Sequence, residues 1–119
     1  SWSAAVHTTT QAADALAARG VSASVIDLGT LWPWDRDAVL QDVARTRRLL
    51  VVHDAVQTAG FGAEVAAAAA QATGCRVGRL GAPRIPVGYA TSLEAVARIS
   101  PAAVVDAALS LIPQPETAP

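Results

Sequence analysis

The chain has 119 residues, room for one ordinary domain that buries roughly two thirds of its unfolded surface. Its apolar fraction is 52%, but 28 of those residues are alanine, so the interior must be closely layered rather than filled by bulky side chains. Nine basic residues, all arginine, against ten acidic ones leave a net charge of -1. That balance excludes a broad basic field for nucleic acid or an anionic membrane, and the lack of lysine excludes Schiff-base, pyridoxal-phosphate and P-loop lysine chemistry.

Chain order gives alternating elements. His7 to Arg19 is predicted to be a helix, with Thr8 and Gln11 as a capping box, an apolar stripe through Ala12, Ala13, Leu16 and Ala17, and Gly20 as its stop. Val21 to Leu28 is rich in β-branched residues and predicts a strand. Asp35 opens a helix to about Thr46, with Asp35 and Asp37 in its first turn and Arg45, Arg47 and Arg48 at its end, where the helix dipole favours each sign. Leu49 to His53 is a short continuous apolar run, as expected of a strand covered on both faces.

A helix from Gly62 to Thr73 follows, alanine-rich and stopped by Gly74, and then a weaker strand from Cys75 to Leu80. Gly81 to Ala90 holds two prolines and is predicted to be a loop. Thr91 and Glu94 make a second capping box for a short helix to Ile99, and Ser100 with Pro101 opens the last helix. Pro113 to Pro119 is expected to be a disordered tail after a domain spanning 1–112. The pattern is that of a three-layer α/β/α fold with a mostly parallel sheet. Because crossovers run strand to helix to strand, a first strand ahead of His7 is expected but missing, and the start at Ser1 suggests part of a longer protein.

Ligands of open parallel sheets bind beyond the carboxyl ends of the strands, which directs attention to Asp27, Gly29, Thr30, His53, Asp54 and the residues after Gly81. His53 beside Asp54 is the best acid/base pair by residue type, although neighbours on a strand face opposite ways. Gly60-Phe61-Gly62 resembles the start of a dinucleotide fingerprint, but Val65 stands where its third glycine belongs; the glycines are better explained by close backbone approach, with Glu64 at the helix start. His7, His53 and Cys75 lack metal spacing, and the single cysteine excludes an internal disulfide and fits a reducing cytoplasmic compartment. In Trp32-Pro33-Trp34, Trp34 and Val39 flank the Asp35 cap as a hydrophobic staple, leaving Trp32 as the exposed interface anchor.

VSASVIDLGTLWPWD, VARTRRLLVVHDA, GFGAEVAAA and PRIPVGYATSLE, in this order, resemble the transketolase carboxyl-terminal domain over about Val6 to Ile112. The resemblance is strongest to the β subunit of thiamine-diphosphate-dependent 2-oxo acid dehydrogenases acting on pyruvate, branched-chain 2-oxo acids or acetoin. It implies an assembly domain without catalytic or cofactor-binding residues of its own, with thiamine diphosphate and Mg2+ held by other segments of the parent enzyme. Implied partners are the α subunit, a second β subunit and the acyltransferase core, with Trp32, Arg47, Arg48, His53, Asp54, Phe61 and Glu64 as interface candidates. Gly29 replaces an arginine usual in the family, Trp34 a leucine, Asp54 a glutamate and Gly88 a frequent proline. The alternatives are a transketolase or deoxyxylulose phosphate synthase domain, and a free-standing α/β scaffold or small-ligand module.

Overall fold

The computed structural model describes residues 1–113, so the expected tail lies, but for Pro113, outside the described residues. Helix α1 spans Ala5–Ala17 and α2 Arg36–Thr46; strand β1 follows at Arg48–Val56, then α3 at Gly62–Thr73, β2 at Arg76–Ala82, α4 at Thr91–Ala97 and α5 at Pro101–Ser110. The two strands pair in parallel, Arg48 opposite Arg76 through Val52 opposite Leu80, and a break in register separates this run from the Val56–Ala82 pair. The β1–α3–β2 unit is the crossover that a continuous apolar strand followed by an alanine-rich helix predicts.

Two adjacent valines explain the layering. Val51 packs into a cluster with Leu28, Val39, Val43 and Val65, on the side covered by α2 and α3. Val52 packs into another with Ala12, Leu16, Val104 and Val105, on the side covered by α1 and α5. Successive strand residues point to opposite faces, so β1 is the middle of an α/β/α sandwich, each fully buried valine contributing about 1.5–3 kcal/mol of burial. Alanines at helix contacts let the layers approach closely, as the composition requires.

Local signals succeed where the chain supplies a free cap. Asp35 accepts the Ala38 N–H at 3.1 Å and Ser100 accepts the Ala103 N–H at 3.1 Å, with Pro101 at the first helical position. Gly74 ends α3 in the left-handed region at φ 62°. Trp34 packs against the cluster that holds Val39, as the staple predicts.

Both capping boxes fail. Helix α1 begins a turn early: Ala4 is its N-cap without a side-chain bond, and Thr8 lies inside it. Ser3 turns the chain at φ 56°, and burial of Ala5 draws that extra turn onto the core, where Thr9 and Thr10 donate back to the Ala5 and Val6 carbonyls. At α4 the N-cap is Ala90, Thr91 is already helical, and Glu94 pairs with Arg98 instead. Val21 to Leu28 is also not a strand of the sheet: Ser1 bonds to Ile26 and Leu28, and no other ladder forms along it among the described residues. A β-rich pattern specifies extended backbone, but a strand needs a paired neighbour.

Candidate functional site

The carboxyl ends of β1 and β2 and the amino end of α3 meet around His53. Its side chain is fully buried at the end of the β1 apolar run, while Asp54 next to it is exposed on the other face. Nδ1 lies 3.0 Å from the Ala55 carbonyl, which assigns the proton to that nitrogen. Nε2 is buried with no hydrogen-bond partner among the described residues. The Trp2 ring stacks on the imidazole at 4.8 Å and 15°, and Phe61 stands edge-on to both Trp2 and Trp34.

Three glycines close the remaining sides. A Cβ at Gly60 would fall 3.1 Å from His53 Cε1, one at Gly62 2.6 Å from Nε2 and one at Gly81 2.8 Å from Cε1. The glycine pair at the start of α3 therefore serves close approach to a neighbour, and the neighbour is a histidine. Burial is the main cause that holds the His53 pKa below its ordinary value; the Ala55 hydrogen bond and Asp54 oppose it, and Arg79 and the amino terminus add to it. The ring is buried and closely enclosed, and its surroundings favour the neutral form.

Gln57 ties the two strand ends together. Its backbone N–H donates to Ala82, its side-chain oxygen accepts from the Gly81 N–H at 3.2 Å, and its carbonyl accepts from Arg79 at 3.1 Å. The arginines are similarly committed: Arg47 donates to the Thr73 carbonyl at the end of α3, Arg48 to the Leu111 carbonyl at the end of α5 at 3.1 Å, and Arg45 to Asp42 and Ser24. The Arg47 and Arg48 side chains thus satisfy carbonyls at the ends of α3 and α5 rather than those of α2, and Arg45 bonds side chains alone. Glu64 is exposed in the first turn of α3 and Phe61 is half-buried in the aromatic cluster.

Several large apolar side chains are exposed. Trp32 is 82% exposed, and Ile85, Val87 and Tyr89 of the loop after β2 are exposed with Leu93 and Val96 of α4, a helix with no buried residue. Composition did not single out these last five, although tyrosine and valine clustered in a proline-rich loop were a usable signal. At Gly88 a Cβ would meet Leu93 at 2.5 Å, so glycine lets the loop fold onto α4; at Gly29 a Cβ meets nothing within 4 Å, so glycine is not required there by space. Among the described residues no group of histidine, cysteine, aspartate or glutamate could hold a metal ion, and no helix is long and apolar enough to cross a membrane.

A parallel strand pair covered by helices on both faces defines an α/β/α domain. Residues 1–104 match the model of the transketolase C-terminal domain, and the chain belongs to that family. The "Pyruvate dehydrogenase E1 component subunit beta" of Porphyra purpurea is 33% identical over 115 residues, 93% of this chain and 35% of the relative. The "Acetoin:2,6-dichlorophenolindophenol oxidoreductase subunit beta" of Cupriavidus necator is 36% identical over 93 residues, 75% of this chain and 28% of the relative. A mitochondrial "2-oxoisovalerate dehydrogenase subunit beta" of Chaetomium thermophilum is 55% identical over 49 residues, 41% of this chain and 10% of the relative. The chain thus spans about a third or less of these relatives.

Proposed function

We propose that this domain is the carboxyl-terminal assembly unit of the β subunit of a 2-oxo acid dehydrogenase, whose parent enzyme decarboxylates a 2-oxo acid on thiamine diphosphate and passes the acyl group to a lipoyl carrier. The observation that carries this is the exposure of large apolar side chains: Trp32 ahead of α2, and Val87, Tyr89, Leu93 and Val96 in the loop after β2 and in α4. Apolar side chains grouped on a surface mark partner contact, and tryptophan and tyrosine are the types enriched at interface hot spots. The α subunit and a second β subunit are the partners that suit such a surface, with the acyltransferase core a further one. A reducing cytoplasmic setting suits the buried free thiol of Cys75.

The residues described do not fit thiamine diphosphate with Mg2+. Among them no three carboxylates, histidines or thiols converge, and the groove between the segment 21–28 and β1 is lined mostly by aliphatic side chains, with Asp42 its single carboxylate and its one arginine, Arg48, bonded to Leu111. Titration calorimetry of the chain with thiamine diphosphate and Mg2+ is expected to give no binding heat, and tight binding contradicts the assignment. Co-sedimentation with the α subunit of a 2-oxo acid dehydrogenase supplies the positive arm: Trp32→Ala and Tyr89→Ser should each weaken association about tenfold or more. Unchanged association in both variants overturns the interface.

A further inference from the structure

The amino ends of β1 and β2 bring three arginines together. Arg48 stands opposite Arg76 in the parallel register, and residues paired in this way face the same layer. That layer is the one of α1 and α5: Leu50, two residues on from Arg48, packs on it, and a Cβ at Gly78, two on from Arg76, would meet Leu50 and Leu111. Arg47 faces the other layer, where its guanidinium donates to the Thr73 carbonyl and lies beside Gly74 at the end of α3. All three are exposed, and among the described residues the ion pairs are Arg45 with Asp42 and Arg98 with Glu94.

Backbone bonds hold these positions. The Arg76 N–H donates to the Arg47 carbonyl at 3.1 Å, and the Thr46 hydroxyl donates to the Arg48 carbonyl at 3.1 Å. A guanidinium has five N–H donors. Arg47 and Arg48 each use one on a helix-end carbonyl, and the Arg76 side chain makes no hydrogen bond among the described residues. Like charges directly opposite on neighbouring strands destabilise the pair, and helix-end carbonyls offset only part of that. Although the chain has ten acidic residues, none among those described pairs with these arginines.

We propose that this edge is a docking site for an acidic segment of a partner protein, its carboxylates received by Arg48 and Arg76 on one side of the sheet and by Arg47 on the other. Guanidinium forks match carboxylates, and docking replaces repulsion with charge-assisted hydrogen bonds. Because Arg47 faces away from the other two, no single small anion reaches all three, whereas a chain bearing several carboxylates does. Three cations on a chain of net charge -1 are too few to track the phosphates of a nucleic acid. The edge lies at the opposite end of the strands from Trp32 and the loop after β2, and the inference does not rest on the assembly role.

The test titrates the chain with a fluorescent glutamate peptide of about eight residues at low ionic strength, following anisotropy and amide NMR shifts. Saturable binding is expected, with shifts concentrated at 47–49 and 74–77 and affinity falling as salt is raised. Arg76→Gln, a change at an exposed side chain, should weaken binding about threefold or more, and the double variant Arg48→Gln, Arg76→Gln about tenfold. Arg36→Gln, at the opposite end of α2, should leave it unchanged. Without peptide, the thermal midpoint of Arg76→Gln should equal or exceed that of the parent chain, because a repulsion is removed. Absence of saturable binding, shifts spread over the whole surface, equal weakening by Arg36→Gln, or the same shifts produced by inorganic phosphate alone each overturn the proposal.

Discussion

Gly62 and His53 are fitted to each other: a methyl group on Gly62 would fall 2.6 Å from Nε2 and 2.7 Å from Cδ2 of the imidazole. The ring cannot retreat, because Trp2 is stacked on one face and Gly60 and Gly81 close on Cε1. Gly62→Ala is therefore expected to destabilise the domain by about 1–3 kcal/mol, the range for overpacking a close-packed site. Gly29→Ala, where a Cβ meets nothing, is the matched control and should shift the urea midpoint little. Equal midpoints for the two variants would show that the ring moves freely.

Stability should depend on pH through the same ring. Burial lowers the folded pKa of His53, assisted by Arg79 and the amino terminus and opposed by the Ala55 hydrogen bond and Asp54. A lowered folded value means that the unfolded chain binds the proton more readily. The contribution is fully present above the unfolded pKa of about 6.5 and is lost as pH falls below it toward the folded value. Protonation would also put an N–H on Nε2, which has no acceptor among the described residues. Urea midpoints should fall between about pH 7 and about pH 5, more steeply than in His53→Phe. Identical slopes in the two proteins would refute the assignment.

How much of this was legible in the sequence depends on whether the deciding partner was local. Asp35, Gly74 and Ser100 act on backbone groups within a few residues of themselves, so α2, α3 and α5 are readable from their caps. Thr8 and Thr91 satisfy the same pattern but lose to tertiary packing and to a preceding turn. Val21 to Leu28 has the composition of a strand, yet its pairing depends on what lies beside it. The sealed state of His53 was hidden because glycines at 60, 62 and 81 are distant in sequence; glycines after both strands near a histidine were the available signal. The loop after β2 is legible as a turn and as part of the family resemblance, but its prolines say nothing about the exposure of its valine and tyrosine.

Caps that form and caps that do not make a sharp comparison. Asp35→Ala and Ser100→Ala each remove an acceptor for an orphan helix N–H and should cost about 1 kcal/mol. Thr8→Ala and Thr91→Ala remove no cap and should stay within about 0.5 kcal/mol, even though a capping-box pattern ranks all four alike. Chemical denaturation of the four single variants decides it. A loss at Thr8 equal to that at Asp35 would place the start of α1 where the sequence pattern puts it.

The two tryptophans around Pro33 should separate folding from association. Trp34 packs on the α2–α3 cluster and meets Phe61 edge-on at 6.4 Å, whereas Trp32 is 82% exposed. Trp34→Ala is expected to cost about 2–4 kcal/mol, short of the full penalty for a completely buried aromatic because its ring is only partly buried. Trp32→Ala should leave the thermal midpoint nearly unchanged, within about 0.5 kcal/mol. The same variant should lose association with the partner subunit, so measuring both midpoint and sedimentation keeps the two roles apart. A drop in stability for Trp32→Ala comparable to that of Trp34→Ala would make the residue a folding contact and remove it from the interface.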